Sequence, residues 1–86
     1  MNIEDIINQI GELLGDYKFD QVNDETKMGA LNIANGVLYP LRESRAIEGY
    51  QFTAKTDEDS ITLSVFIKEF GQEELSQWDL TINKDE

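Results

Sequence analysis

The chain has 86 residues, 40% apolar and 29% charged, and its eighteen Asp and Glu against seven Lys and Arg leave a formal net charge of −11. With no His and no Cys it can build neither a disulfide scaffold nor a thiolate metal site, and it lacks the imidazole and thiol groups that most often carry catalysis. A pI near 4.2 repels phosphate backbones and anionic bilayers, so neither direct nucleic-acid binding nor membrane binding is expected.

The N-terminus, MNIEDII, carries two acids where a secretory signal needs bases, and no apolar run approaches the roughly 18 residues of a membrane span. A cytoplasmic protein is expected, of one domain over residues 1–86. Ile3, Ile6, Ile7, Ile10, Leu13 and Leu14 fall on one helical face opposite Glu4, Asp5, Gln9 and Glu12. Asn2 is the expected cap, and Gly15 and Asp16 the stop.

Residues 16–24 have no sustained period and read as a connector whose Tyr17, Phe19 and Val22 reach toward the core. A second helix begins at Asp24, with Asn23 or Asp24 as its N-cap. Met28, Leu31, Ala34, Leu38 and Leu41 recur at helical spacing, and Ala30, Ile33 and Val37 widen the stripe enough to predict a helix mostly surrounded by protein. Gly29, Ala30, Ala34 and Gly36 keep it thin for close packing. Pro40 predicts a kink or an end near Tyr39, with helix resuming through 41–46.

After Gly49 the period changes from 3.6 to 2. Tyr50, Phe52 and Ala54, then Ile61, Leu63, Val65 and Ile67, then Trp78, Leu80 and Ile82 alternate with polar residues, predicting three strands with one apolar face. A tight connection at 57–60 and a longer one at 71–75 favour an antiparallel meander. The fold class is therefore α+β: two helices followed by a three-stranded antiparallel β-meander, with the helices on one face. Phe66 stands on the wetter face and is a candidate contact residue. The tail at 84–86 is expected to fray.

No constellation carries an evident reaction. The acids at Asp57, Glu58 and Asp59 lack the ligand spacing, the central Gly and the terminal Glu of a calcium loop. Asp59, Ser60 and Ile61 resemble, over three residues, the pantetheine attachment of an acyl carrier protein, a minor alternative against which the alternating segment that follows favours Ser60 as a turn residue. No catalytic residue, metal or cofactor is expected.

The stretch NDETKMGALNIANGVLYPLRESRAIEGYQFTAKTDEDSITLSVFIKEF, followed by WDLTI and together spanning residues 23–82, resembles the small domain shared by the C-terminal region of contractile-tail sheath proteins and the sheath-initiating baseplate wedge protein. The resemblance rests on an Asn-Asp-x-Thr helix start, a helix ending near a Pro or Arg element, and three strands after it. Sheath proteins are several times longer, and the wedge protein's Glu-Pro-Arg signature is not reproduced by Leu41, Arg42, Glu43, Ser44 and Arg45.

The resemblance implies a non-catalytic structural role in a phage tail or tail-like assembly, in host cytoplasm or virion, with a strand added at the sheet edge. Arg42 and Arg45 are then candidate contacts, unless they simply pair with Glu43 or Glu48. A second copy of the chain is a further candidate partner.

The rival expectation is an acidic inhibitor, of the DNA-mimic or immunity type, seated on a basic protein surface. From the N-terminus through Glu25, the acids Glu4, Asp5, Glu12, Asp16, Asp20, Asp24 and Glu25 stand against Lys18 alone. Asp16, Asp20 and Asp24 are its candidate contacts.

Overall fold

The structure, a computed structural model, describes residues 2–84. Helices α1 (Ile3–Gly15) and α2 (Asp24–Glu43) precede strands β1 (Gly49–Thr56), β2 (Ser60–Lys68) and β3 (Ser76–Asn83). The strands form one antiparallel sheet in the order β1-β2-β3, and both helices cover one face of it, as the patterning predicts.

Each helix begins where its side chains satisfy free amides. The Asn2 Oδ1 accepts the Glu4 N–H at 2.9 Å, and Glu4 and Asp5 complement the positive end of α1. At α2 the Asn23 Oδ1 accepts the Thr26 N–H while Thr26 Oγ1 accepts the Asn23 N–H, both at 2.9 Å. This reciprocal pair satisfies two amides together. Between the helices Phe19 is buried, and its ring lies 5.6 Å from that of Tyr17.

The helix end expected near Tyr39 does not occur: α2 runs through Pro40 to Glu43. Pro40 sits in the last turn, so its missing N–H removes one intrahelical bond, to the Gly36 carbonyl. Gly36 has no side chain and open space around it, which relieves crowding in the turn that the ring approaches. The helix ends with the Ala46 N–H on the Leu41 carbonyl at 2.8 Å and the Arg45 N–H on the Arg42 carbonyl at 3.1 Å. This Schellman arrangement puts Arg45, at φ 64°, in the left-handed position that glycine normally fills.

In the central strand Ile61, Leu63, Val65 and Ile67 are all buried against the helices. Their cross-strand partners include Phe52 and Trp78 around Val65, and Ala54 and Leu80 around Leu63. These edge-strand residues are only half-buried. Ile3, Ile6, Ile7, Ile10 and Leu14 of α1, Ala30, Ala34 and Leu38 of α2, and Ile47 between α2 and β1 join them in the core. A two-layer build leaves the molecule elongated, 43 × 20 × 19 Å, with a radius of gyration of 13.1 Å against about 12 Å for a compact chain of this length.

The β1–β2 turn is closed by the Asp57 N–H on the Ser60 carbonyl at 2.8 Å, and Ser60, expected in the turn, is instead the first residue of β2, paired with Asn83. The longer connection turns at Gly71, φ 84°, with the Gln72 N–H on the Glu69 carbonyl. Lys84 is tied down: its amide donates to the Asp59 carbonyl at 2.8 Å and its Nζ lies 3.0 Å from the Asp59 carboxylate. Of the tail expected to fray, Asp85 and Glu86 lie outside the described residues. Among the described residues no helix is long and apolar enough to cross a membrane.

Candidate functional site

The apolar stripe of α2 is wider than the sheet and α1 together cover. Ala30, Ala34 and Leu38 are buried, but Ile33, Val37 and Leu41 are only half-buried and Met28 is exposed. The expectation of a helix mostly surrounded by protein is corrected accordingly: two layers bury one side of α2 and leave its flank open. Successive residues turn about 100° around a helix, so the Ile33, Val37 and Leu41 row lies beside the core row rather than within it.

That uncovered row forms one wall of a groove of about 870 Å³ between the helices. Asn32, Gly36 and Pro40 extend the α2 wall, and Asp5, Ile6, Gln9, Leu13 and Asp16 form the α1 wall, with Tyr17 closing one end. Leu13, which the α1 stripe assigns to the core, is 42% exposed. Its neighbour Leu14, about 100° further round the helix, takes the core position instead and is 1% exposed. The floor is apolar, and none of the lining residues is Lys or Arg.

Tyr17 is held at the groove end by its hydroxyl, which donates to the Thr26 carbonyl at 3.2 Å. Its ring lies over Gly29, where a Cβ would overlap the phenol. The two glycines of α2 therefore differ in role. Gly29 admits a neighbouring ring, whereas Gly36 contributes nothing to close packing and opens the groove.

The candidate residues named from the sequence fall in separate places. Asp16 caps the end of α1 and lines the groove, Asp20 is exposed in the connector, and Asp24 opens α2. All seven acids from Glu4 through Glu25 are exposed, and the last turn of α1 carries no base. Phe66 lies on the opposite surface of the molecule, half-buried on the outer sheet face between Gln51 and Gln77.

Arg42 lies 5.3 Å from the Tyr39 ring and 5.2 Å from the Tyr50 ring. The Tyr50 hydroxyl in turn donates to Asn35 Oδ1 at 2.5 Å, so this cluster fastens α2 to β1. A hydrogen bond to Glu43, reinforced by its charge, raises the Tyr39 phenol above its ordinary pKa. Glu48, one of the anticipated partners of the arginines, instead faces Lys68 at 3.6 Å. Arg45 is exposed beyond the end of the helix.

Around Phe66 the outer sheet face is polar. Ser64 donates to the Asp79 carboxylate at 2.6 Å and Gln77 at 3.3 Å, and these bonds hold the Asp79 pKa below the usual aspartate value. Thr62 and Thr81 are joined at 3.1 Å. Ser64 of β2 and Asp79 of β3 stand directly opposite each other, so the bond between them is a cross-strand tie. Among the described residues no group of three or more Asp or Glu converges as a metal site would require.

The groove was missed in the sequence, although Ile33, Val37 and Leu41 carry its signal: an apolar arc broader than one sheet and one helix can bury. Comparison with known proteins adds nothing to this geometry, since no family model, curated protein or solved structure matches the chain.

Proposed function

We propose that the protein is a non-catalytic assembly module that acts through protein–protein contacts at the edge of its sheet, in the manner implied by the resemblance to contractile-tail sheath and baseplate domains. One observation supports this reading above others. Among the described residues the sheet is open, with β1 and β3 each paired only to β2, so each edge presents a row of main-chain donors and acceptors to a partner strand.

Arg45 fits the same role. It keeps a long cationic side chain in a backbone conformation that costs about 1 kcal/mol for a residue with a Cβ. Strain of this kind gathers where a side chain is needed.

The test is association with the protein's own assembly partner. A Pro scan along β1 and β3, with folding checked by circular dichroism, is expected to abolish association at one edge, while added salt changes it little. Arg45→Gly is expected to raise stability by about 1 kcal/mol and to weaken association. Association indifferent to Pro at both edges ends this reading.

A second reading is favoured by the seven exposed acids of the N-terminal region: an acidic inhibitor that occupies a basic, nucleic-acid-binding surface of its partner. Reversal of Asp16, Asp20 and Asp24 to Lys would then weaken binding, as would salt that shortens the Debye length to about 8 Å. Unchanged binding by the triple reversal excludes it. Both readings place the protein in the cytoplasm or, if phage-encoded, in the host cytoplasm or virion.

A further inference from the structure

The groove between α1 and α2 lies in the helical layer, away from the strand edges, so what it binds is a separate question from edge pairing. We infer that it is a docking site for an amphipathic helix of a partner protein, one with an apolar stripe flanked by Lys or Arg at both ends. Three observations select this occupant.

The first is charge. The lining contains Asp5 toward one end and Asp16 toward the other, with no base among the lining residues. Exposed Glu4 and Glu12 extend the negative field along α1. A second copy of a chain with net charge −11 would meet this rim with acids of its own, and anionic lipid or nucleic acid would be repelled in the same way.

The second is shape. Asp5 and Asp16 are separated by three turns of α1, about 16 Å along its axis. Between them Ile6 and Leu13 on one wall face Ile33, Val37 and Leu41 on the other. An occupant helix places apolar side chains at i, i+3 or i+4, and i+7 over about 10 Å. That stripe is shorter than the distance between the two acids and leaves room for one cation beyond each end of it.

The third is the Gly36 and Pro40 pair on the α2 wall. Pro40 has no amide to offer the Gly36 carbonyl, which thus lacks its usual intrahelical donor, and both residues line the groove. A Lys ammonium or Arg guanidinium arriving at this wall supplies a donor. Gly36 itself, with no neighbour within 4 Å of a Cβ, keeps the wall low enough for a helix to approach.

The probe is a synthetic peptide of about five helical turns, with Leu at the stripe positions and a Lys beyond each end of the stripe, spaced to match Asp5 and Asp16. Two controls accompany it: the same stripe flanked by Glu, and the same Lys with the stripe changed to Gln. Titration is followed by amide chemical shifts. Binding by the first peptide alone is expected, with the largest shifts at Ile6, Leu13, Ile33 and Val37 and with affinity falling at least tenfold as salt is raised.

Gly36→Trp should fill the groove and reduce affinity at least tenfold. Leu13→Gln, at an exposed position, should do so with no steric demand on the fold, and Asp5→Lys with Asp16→Lys should weaken binding to a similar degree. Equal binding by the Gln-stripe peptide would overturn the proposal as simple charge attraction. So would no binding, shifts confined to β1 or β3, indifference to Leu13→Gln, or equally tight binding of a cationic detergent such as dodecyltrimethylammonium. Shifts confined to β1 or β3 would point to a strand edge instead; the other outcomes leave edge pairing untouched, and the Pro scan tests it separately.

Discussion

At Gly29 the chain has no room for a methyl group, because the Tyr17 phenol occupies the space. Gly29→Ala is expected to displace that ring and cost about 1–3 kcal/mol, whereas Gly36→Ala, in open space, should gain about 0.5–1 kcal/mol from helix propensity. Denaturant melts of the two variants, moving in opposite directions, check both assignments. Asp79 offers a pH test at the same scale. Its folded pKa lies below its unfolded one, chiefly because Ser64 donates to the carboxylate. The stability it contributes is therefore full above about pH 4, near the ordinary carboxylate value, and lost as pH falls through the folded pKa. Ser64→Ala should lower Tm most at neutral pH, and the gap to wild type should narrow on acidification below that value. A gap that widens in acid would contradict this assignment.

The helices differ in how fully their apolar residues are used. Leu38 is fully buried while Leu31, on the same predicted stripe, is half-buried. Leu38→Ala is expected to cost about 2–5 kcal/mol and Leu31→Ala about half as much, because water already reaches part of its side chain. Val65 and Trp78 divide in the same way, the first sealed in the central strand and the second on an edge strand. The apolar alternation marks the strands, but only their order across the sheet makes β2 the buried one. Pro40 shows the limit of a local rule. Its effect depends on which turn it occupies and on Gly36 four residues earlier, so a residue that breaks a helix interior is accommodated in a final turn.

For the molecule as a whole, charge sets a general expectation. A chain at −11 with its N-terminal acids exposed repels itself when folded. Raising ionic strength from about 0.01 M to 0.15 M shortens the Debye length from about 30 Å to about 8 Å. Thermal melts at neutral pH should therefore show Tm rising with salt, and each ~1 kcal/mol gained should appear as about 4–8 °C for a domain of this size. A flat response would show that the acids are too widely spaced to oppose folding. The elongated two-layer shape matters here as well, because a thin body separates like charges while leaving a helical flank uncovered.

Much of this protein was determined by the sequence alone. The cap at Asn2, the start of α2 at Asp24 with its cap narrowed to Asn23 or Asp24, the end of α1 at Gly15, the change of period at Gly49 and the inward residues of all three strands follow from local chemistry and from periodicities of 3.6 and 2. Each of these depends on a residue and its near neighbours in the chain. The tertiary structure decided what happens to an apolar residue once those elements meet. Leu13 and Leu14 differ by a rotation of about 100° around the helix, yet one is open to the groove and the other sealed. Ile33, Val37 and Leu41 read as core in the sequence but form a groove wall. Hydrophobic burial has no direction along the chain and is settled by which surfaces come together, so a helix can announce an apolar face while only packing determines how much of it is covered.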